Sequence, residues 1–177
     1  MEEKVTLSGM GGQGIILLGT LIANCAMEED RSVTLIPSYG AEMRGGLSQS
    51  YICISDKAIG SPVFACPDSA ILMYQPSMDK YENSINPDGL IIYNENMVFS
   101  KPARRDITYI PVAANMKAQE LGNLKAANII MLGVWCKKRK IIGYDTVSRA
   151  IRNIFKTKSQ KVTDLNLKAL DLGYHLV

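Results

Sequence analysis

Two short stretches of the chain hold residue types that could do binding chemistry. The first is Ser8-Gly9-Met10-Gly11-Gly12-Gln13-Gly14, in which Gly9, Gly11 and Gly14 satisfy G-x-G-x-x-G between a strand pattern and a helix pattern. Glycines there allow positive φ, let backbone N–H groups approach a ligand, and aim a helix N-terminus at an anion. A dinucleotide site also needs an acidic residue at the end of the second strand to hold the ribose hydroxyls. That strand ends Ile36-Pro37-Ser38-Tyr39, with Glu28, Glu29 and Asp30 before it and Glu42 well after it. A standard NAD site is therefore disfavoured. Two readings stay open: a tight turn that lets helix and sheet pack closely, or a contact for an anion or partner.

The second stretch is Pro37-Ser38-Tyr39-Gly40-Ala41-Glu42-Met43-Arg44-Gly45-Gly46. It is too polar and glycine-rich for a core, and it follows the C-terminal end of a strand, the side on which open α/β sheets meet ligands. Either Glu42 and Arg44 pin the loop internally, or they face outward on a sharply turned backbone.

The usual catalytic sets are absent. There is no GxSxG, HExxH or GxxxxGK[ST] motif, and the single histidine, His175, stands three residues from the end and reads as a surface or packing residue. No catalytic residue is assigned. Asp68, after Cys66-Pro67, reads as a turn residue. Cys25, Cys53, Cys66 and Cys136 lie 28, 13 and 70 residues apart, which suits neither a zinc nor an iron–sulfur site. Reduced thiols are expected, with Cys53 and Cys136 buried and inert, and no metal site. Charge is uneven. Residues 137–161 hold nine Lys or Arg against Asp145, a local +8, while the rest of the chain carries −5. That cluster is either a solvated helix face or an attractor of phosphates, RNA or an acidic protein face. Few aromatics interleave with it, so nucleic acid is not expected as a partner.

Positioning these residues falls to alternating strands and helices. Strands are expected at 5–7, 33–36, 47–54, 69–74, 90–93 and 107–110. Helices are expected at 15–27, 76–85, 117–121, 126–137, 145–155 and 162–172, the fifth capped by Asp145 and the last closed by Gly173. Pro37 and Pro111 are expected to stop their strands. The fold class is α/β: a three-layer, mixed but mostly parallel sheet with helices on both faces, a Rossmann-like start, and one domain over 1–177. A 177-residue chain that is 47% hydrophobic and 21% charged can bury such a core, which excludes disordered and disulfide-scaffold classes. The longest apolar stretches, 14–23 and 129–136, are about half a membrane span. The acidic start, Met1-Glu2-Glu3-Lys4, is unlike a secretory signal, so a cytoplasmic location and no membrane partner are expected.

The two loops together carry a resemblance. Ser8-Gly9-Met10-Gly11-Gly12-Gln13-Gly14 followed by Ser38-Tyr39-Gly40-Ala41-Glu42-Met43-Arg44-Gly45-Gly46 resembles the gamma subunit of 2-oxoacid:ferredoxin (acceptor) oxidoreductases. Ile54-Ser55-Asp56 with Ser61-Pro62, and Leu121-Gly122-Asn123 with Asn128 and Leu132-Gly133, match it as well. The resemblance runs from residue 4 to about 134, and the basic segment after it matches no motif. It implies a subunit of a complex that oxidatively decarboxylates a 2-oxoacid to an acyl-CoA and reduces ferredoxin. The Glu42-Met43-Arg44-Gly45-Gly46 form is more like the 2-oxoglutarate and branched-chain members than the pyruvate ones, and an indolepyruvate member is not excluded. The alternative is a free-standing dinucleotide-binding oxidoreductase. No cofactor is expected on this chain, which has no GDG…NN motif and no cluster cysteines. Thiamine diphosphate, magnesium and iron–sulfur clusters are implied on alpha, beta and ferredoxin-like delta partners, with coenzyme A as co-substrate. The loop from Ser38 to Gly46 is expected to face those partners, and an isolated chain to pair as a homodimer.

Overall fold

The structure, a computed structural model, describes residues 1–39 and 46–177. Six strands form one mixed sheet in the order β2-β3-β1-β4-β5-β6. These are β1 (Glu2–Met10), β2 (Ser32–Tyr39), β3 (Leu47–Ser55), β4 (Ser69–Leu72), β5 (Leu90–Asn94) and β6 (Thr108–Val112). β1, β4, β5 and β6 run parallel, while β3 lies antiparallel between β1 and β2. The alternating segment after Gly46 is thus what makes the sheet mixed, as its sequence implies.

The parallel strands read as continuous apolar runs because both their faces are covered. On one face lie α1 (Ile15–Glu28) and α4 (Ala127–Arg139), packed on Val5, Leu7, Ile52, Ile54, Ile71 and Ile92. On the other, α2 (Gln75–Tyr81) and its 3-10 extension Glu82–Ser84 cover Ala70, Leu72, Ile91 and Tyr93. Helices α3 (Ala114–Glu120), α5 (Tyr144–Phe155) and α6 (Gln160–His175) complete the chain.

Every residue from Ala127 to Cys136 is buried, because α6 crosses α4 on the side away from the sheet. A helix that is apolar all round belongs inside. The crossing is close: a Cβ on Gly133 would collide with the Leu170 carbonyl, and one on Gly173 with the Ile130 carbonyl. Gly173 therefore does not close the last helix, as its position suggests. It lies inside α6, which runs on to His175, and its role is contact.

Both prolines expected to stop strands lie within them. Pro37 pairs with Ser50 and the ladder continues to Tyr39, and Pro111 pairs with Tyr93 before Val112. The reason is position, since β2 and β6 are the sheet's two edges. An edge strand tolerates a missing N–H and gains protection against stray pairing. Asp145 likewise sits in the first turn of α5 rather than at its cap, which is Gly143.

Candidate functional site

The glycine turn leaves the C-terminal end of β1 near the middle of the sheet. Gln13 N–H donates to the Met10 carbonyl at 3.1 Å, and the Gln13 side chain accepts from Met10 N–H at 2.7 Å. Its amide nitrogen reaches the Met73 carbonyl at the end of β4, at 3.4 Å. Gln13 thus holds the turn rather than projecting from it. Positive φ is used at Gly12 (98°) and Gly14 (76°). Gly9 answers a different need: a Cβ there would lie 2.6 Å from Gln13 Oε1 and 2.8 Å from Ile15 Cδ1.

Gly14 is the N-cap of α1. Among the described residues no side chain caps that end, and its first turn holds no acidic residue. The positive end of the helix dipole is left for another group. Gly14 offers its carbonyl to Leu18 N–H at 3.0 Å and to Asn128 Nδ2 at 3.2 Å. Asn128, from the first turn of α4, is 3% exposed, and its Oδ1 is buried with no hydrogen-bond partner among the described residues. Asn123 caps the 3-10 turn Leu124–Ala126, accepting from Lys125 N–H at 3.0 Å.

Two cavities meet at this point, of about 280 and 400 Å³, and both are lined by Gly12, Gln13, Lys125 and Asn128. The smaller is walled by methionines, Met10, Met73 and Met97, at the strand ends. The larger runs under Phe155 and carries Lys158, from the turn between α5 and α6. The site therefore combines a bare helix N-terminus, two lysines, one unsatisfied acceptor and an apolar arm. That suits an anion with an apolar extension.

The basic segment does not act as one patch. Arg139 is tied to the buried Glu3 carboxylate, its Nε 2.8 Å from Oε1. Arg149 pairs with Glu28 at 2.7 Å, and Lys137 stands over the Tyr174 ring at 4.7 Å. Lys158 reaches the cavity, while Lys156 and Lys161 stay exposed on either side of it. The sequence marks Lys158 only as one member of the basic 137–161 cluster and gives no signal for Lys125, since only the fold brings the two together.

Of the second stretch, Gly40, Ala41, Glu42, Met43, Arg44 and Gly45 lie outside the described residues. Ser38 and Tyr39 end β2, opposite Gln49 and Ser48. Gly46 accepts a hydrogen bond from Gly11 N–H at 3.0 Å, so the base of this loop is fastened to the glycine turn.

Other side chains stand apart from the site. Asp68 accepts from Lys4 N–H at 2.9 Å and Asn86 Nδ2 at 2.7 Å, a turn role. His175 is exposed beside Asp171. Burial pushes the Cys25 thiol up to about 12 and raises those of Cys53 and Cys136. Cys66 is exposed. Among the described residues, no three of His, Cys, Asp and Glu converge as metal ligands. No helix among them is long and apolar enough to cross a membrane. On the sheet's other face, Gln49 Oε1 accepts from the Tyr51 and Tyr81 hydroxyls beside a cavity of about 390 Å³. Alternation along β3 hides that polar cluster from a reading of the sequence.

Comparison with known proteins widens the likeness beyond the two loops. The ketoisovalerate oxidoreductase subunit VorA of Methanothermobacter marburgensis is 37% identical over 97% of this chain. The 2-oxoglutarate synthase subunit KorC of Methanocaldococcus jannaschii is 32% identical over 99% of this chain and 94% of its own length. The fold overlays a 2-oxoglutarate:ferredoxin oxidoreductase from Magnetococcus marinus, a structure with 2-oxoglutarate, coenzyme A and succinyl-CoA bound, with a TM-score of 0.90 at 20% identity over 98% of this chain. This chain spans about a third of two of these proteins, 36% of VorA and 30% of the Magnetococcus chain. The family model for pyruvate ferredoxin/flavodoxin oxidoreductase matches residues 4–176, so the basic segment and α6, which carry no recognisable motif, fall within it. From its first strand to its last helix, the chain belongs to that oxidoreductase family.

Proposed function

We propose that this chain is the gamma subunit of a multisubunit 2-oxoacid:ferredoxin oxidoreductase, acting on 2-oxoglutarate in the cytoplasm. The observation that carries the reading is the end-to-end match to the 2-oxoglutarate synthase subunit, which has nearly the same length. In this reading the thiamine diphosphate, magnesium and iron–sulfur clusters belong to alpha, beta and ferredoxin-like partners. The chain's own contribution is a wall for the acyl-accepting thiol: the N-terminus of α1, Lys125 and Lys158 hold the phosphates of coenzyme A. The methionine-walled arm takes its apolar extension. Coenzyme A supplies the thiol that accepts the acyl group. The Magnetococcus relative binds coenzyme A, which supports this assignment. The loop from Ser38 to Gly46, with Glu42 and Arg44, faces the thiamine-bearing partners, and the isolated chain pairs two-fold through the surface they leave.

Co-purification from the native cell tests the reading. Recovery of a brown complex that reduces ferredoxin with 2-oxoglutarate and coenzyme A is expected. A complex that turns over 3-methyl-2-oxobutanoate in its place would overturn the substrate assignment. A chain recovered alone would overturn the subunit.

A further inference from the structure

The sheet face away from α1 carries a cavity that the coenzyme A reading does not use. On that face α2 covers β4 and β5, and residues 61–65 stand beside Ile36 of β2 and Tyr51 of β3. The space between them is about 390 Å³, inside the roughly 300–1,000 Å³ range of small-ligand pockets. Its walls are apolar: Ile36, Pro62, Val63 and Phe64, with Phe64 edge-on to the Tyr51 ring at 6.0 Å. Val63 is 71% exposed there, a large apolar side chain left in water.

The polar lining is built on one oxygen. Gln49 Oε1, in a residue 7% exposed, accepts from the Tyr51 hydroxyl, the Tyr81 hydroxyl and Lys80 Nζ, the last at 3.1 Å. Three donors around one atom fix it as the carbonyl end of the amide, yet a carbonyl oxygen has two lone pairs. The two hydroxyls are also 2.7 Å apart, so one displaced by Lys80 turns to its neighbour. In every arrangement Lys80 keeps two N–H groups and its whole charge. That charge meets a neutral carbonyl and the Tyr81 ring, 5.2 Å from the ring centre. Among the described residues no carboxylate lies in ion-pair reach of it. Burial raises the Tyr81 phenol above its ordinary range, so it stays protonated and remains a donor beside that cation.

We propose that this cavity binds a small monocarboxylate with a branched or aromatic body, its carboxylate on Lys80 and the tyrosine hydroxyls and its body against Ile36, Val63 and Phe64. A negatively charged acceptor is what the donor set lacks, and a charge-assisted hydrogen bond beside low-dielectric walls is stronger than one in water. One carboxylate suffices, because Lys80 is the one cation among the described residues that line the cavity. A phosphate or dicarboxylate would bring a second charge with no cation to meet it.

Titration of the full chain with 3-phenylpropionate, its amide 3-phenylpropionamide and acetate tests the assignment, read by calorimetry and by tyrosine-ring NMR. 3-Phenylpropionate should bind saturably, and both controls about tenfold more weakly or worse, the amide lacking the charge and acetate the body. Lys80→Met should bring 3-phenylpropionate to within about threefold of the amide. Lys80 is exposed, so that variant should keep the wild-type melting temperature. In the wild-type chain the Tyr51 and Tyr81 ring resonances should move with 3-phenylpropionate, which places the probe in this cavity without a mutation. Equal binding of the acid and either control, a preference that survives Lys80→Met, or saturation with both tyrosines unmoved overturns the proposal. Absence of saturation by any probe overturns it as well, and leaves the apolar wall to a macromolecular partner.

Discussion

Gly11 donates its backbone N–H to the Gly46 carbonyl at 3.0 Å, joining two stretches that stand 35 residues apart in the sequence. The glycine turn and the base of the Ser38–Gly46 loop are therefore one local structure. Whatever binds at the turn also abuts that loop's return into β3.

Gly12 and Gly14 separate strain from packing. Both have positive φ, yet a Cβ at Gly12 meets nothing within 4 Å while one at Gly14 collides with Asn128 Nδ2. Gly12→Ala should cost about 1 kcal/mol by backbone strain alone. Gly14→Ala should cost about 2–3 kcal/mol, because strain and the displaced amide add. Urea unfolding of both variants reads the difference, and equal losses would show that Asn128 moves aside freely.

The two lysines should affect binding and spare stability. Lys125 and Lys158 are exposed at the cavity rim, so either change to Glu should leave unfolding free energy within about 0.5 kcal/mol. Affinity for coenzyme A should fall about tenfold or more, and by less at high salt. A stability loss with unchanged affinity would place both lysines outside the site.

Glu3 should be among the costliest positions in the chain. Its carboxylate is 2% exposed and accepts from Ser69 Oγ at 2.7 Å and from Arg139, while Trp135 Nε1 donates to the same Ser69 at 2.9 Å. Glu3→Gln removes the charge from bonds to Ser69 and Arg139 while the part-exposed Arg139 stays solvated, so it should cost about 1.5–3 kcal/mol. Arg149→Gln, at the exposed pair with Glu28, should cost at most about 1 kcal/mol. Chemical denaturation of both checks the ranking.

Alkaline instability follows from the buried thiols. Burial raises the Cys25 pKa from 9.0 to about 12, so the folded state keeps a proton that the unfolded chain releases. The stabilisation is complete below pH 9 and is lost as pH climbs toward 12. Midpoint urea concentrations should fall across that window, and Cys25→Ala should flatten the fall. In the native state a thiol reagent should label Cys66 quickly and the three buried cysteines slowly.

Arg44→Ala tests the loop that the sequence singles out. Its melting free energy in the isolated chain should stay within about 0.5 kcal/mol of wild type. Assembly with the thiamine-bearing partners should weaken by about 2–5 kcal/mol if the partner charge is left buried. A large stability loss with normal reconstituted activity would assign Arg44 to an internal clamp.

Much of this was legible from local pattern. Strand and helix types follow from apolar runs and periodicity, and Gly9 to Gly14 mark the turn in the sequence itself. What escaped depends on placement in the sheet. Pro37 and Pro111 look like stops unless their strands are known to be edges, and Gly173 looks like a cap unless α4 is known to cross it. Asn128 stands out in the sequence as a motif residue. Its vacant acceptor became visible only once Gly14, 114 residues away, was known to hold the other end of the amide.

The Glu3–Arg139 pairing also sets a timetable for synthesis. Arg139 is made 136 residues after Glu3, and the strand that carries Glu3 needs both β3 and β4 as neighbours. Until α4 has emerged from the ribosome, the buried carboxylate on β1 has Ser69 of β4 but no cation beside it, and the helix that fills the middle of the core is missing. The nascent chain must therefore hold β1 in reserve, closing these long-range contacts last, which is the slow regime of folding for sheets built from distant segments.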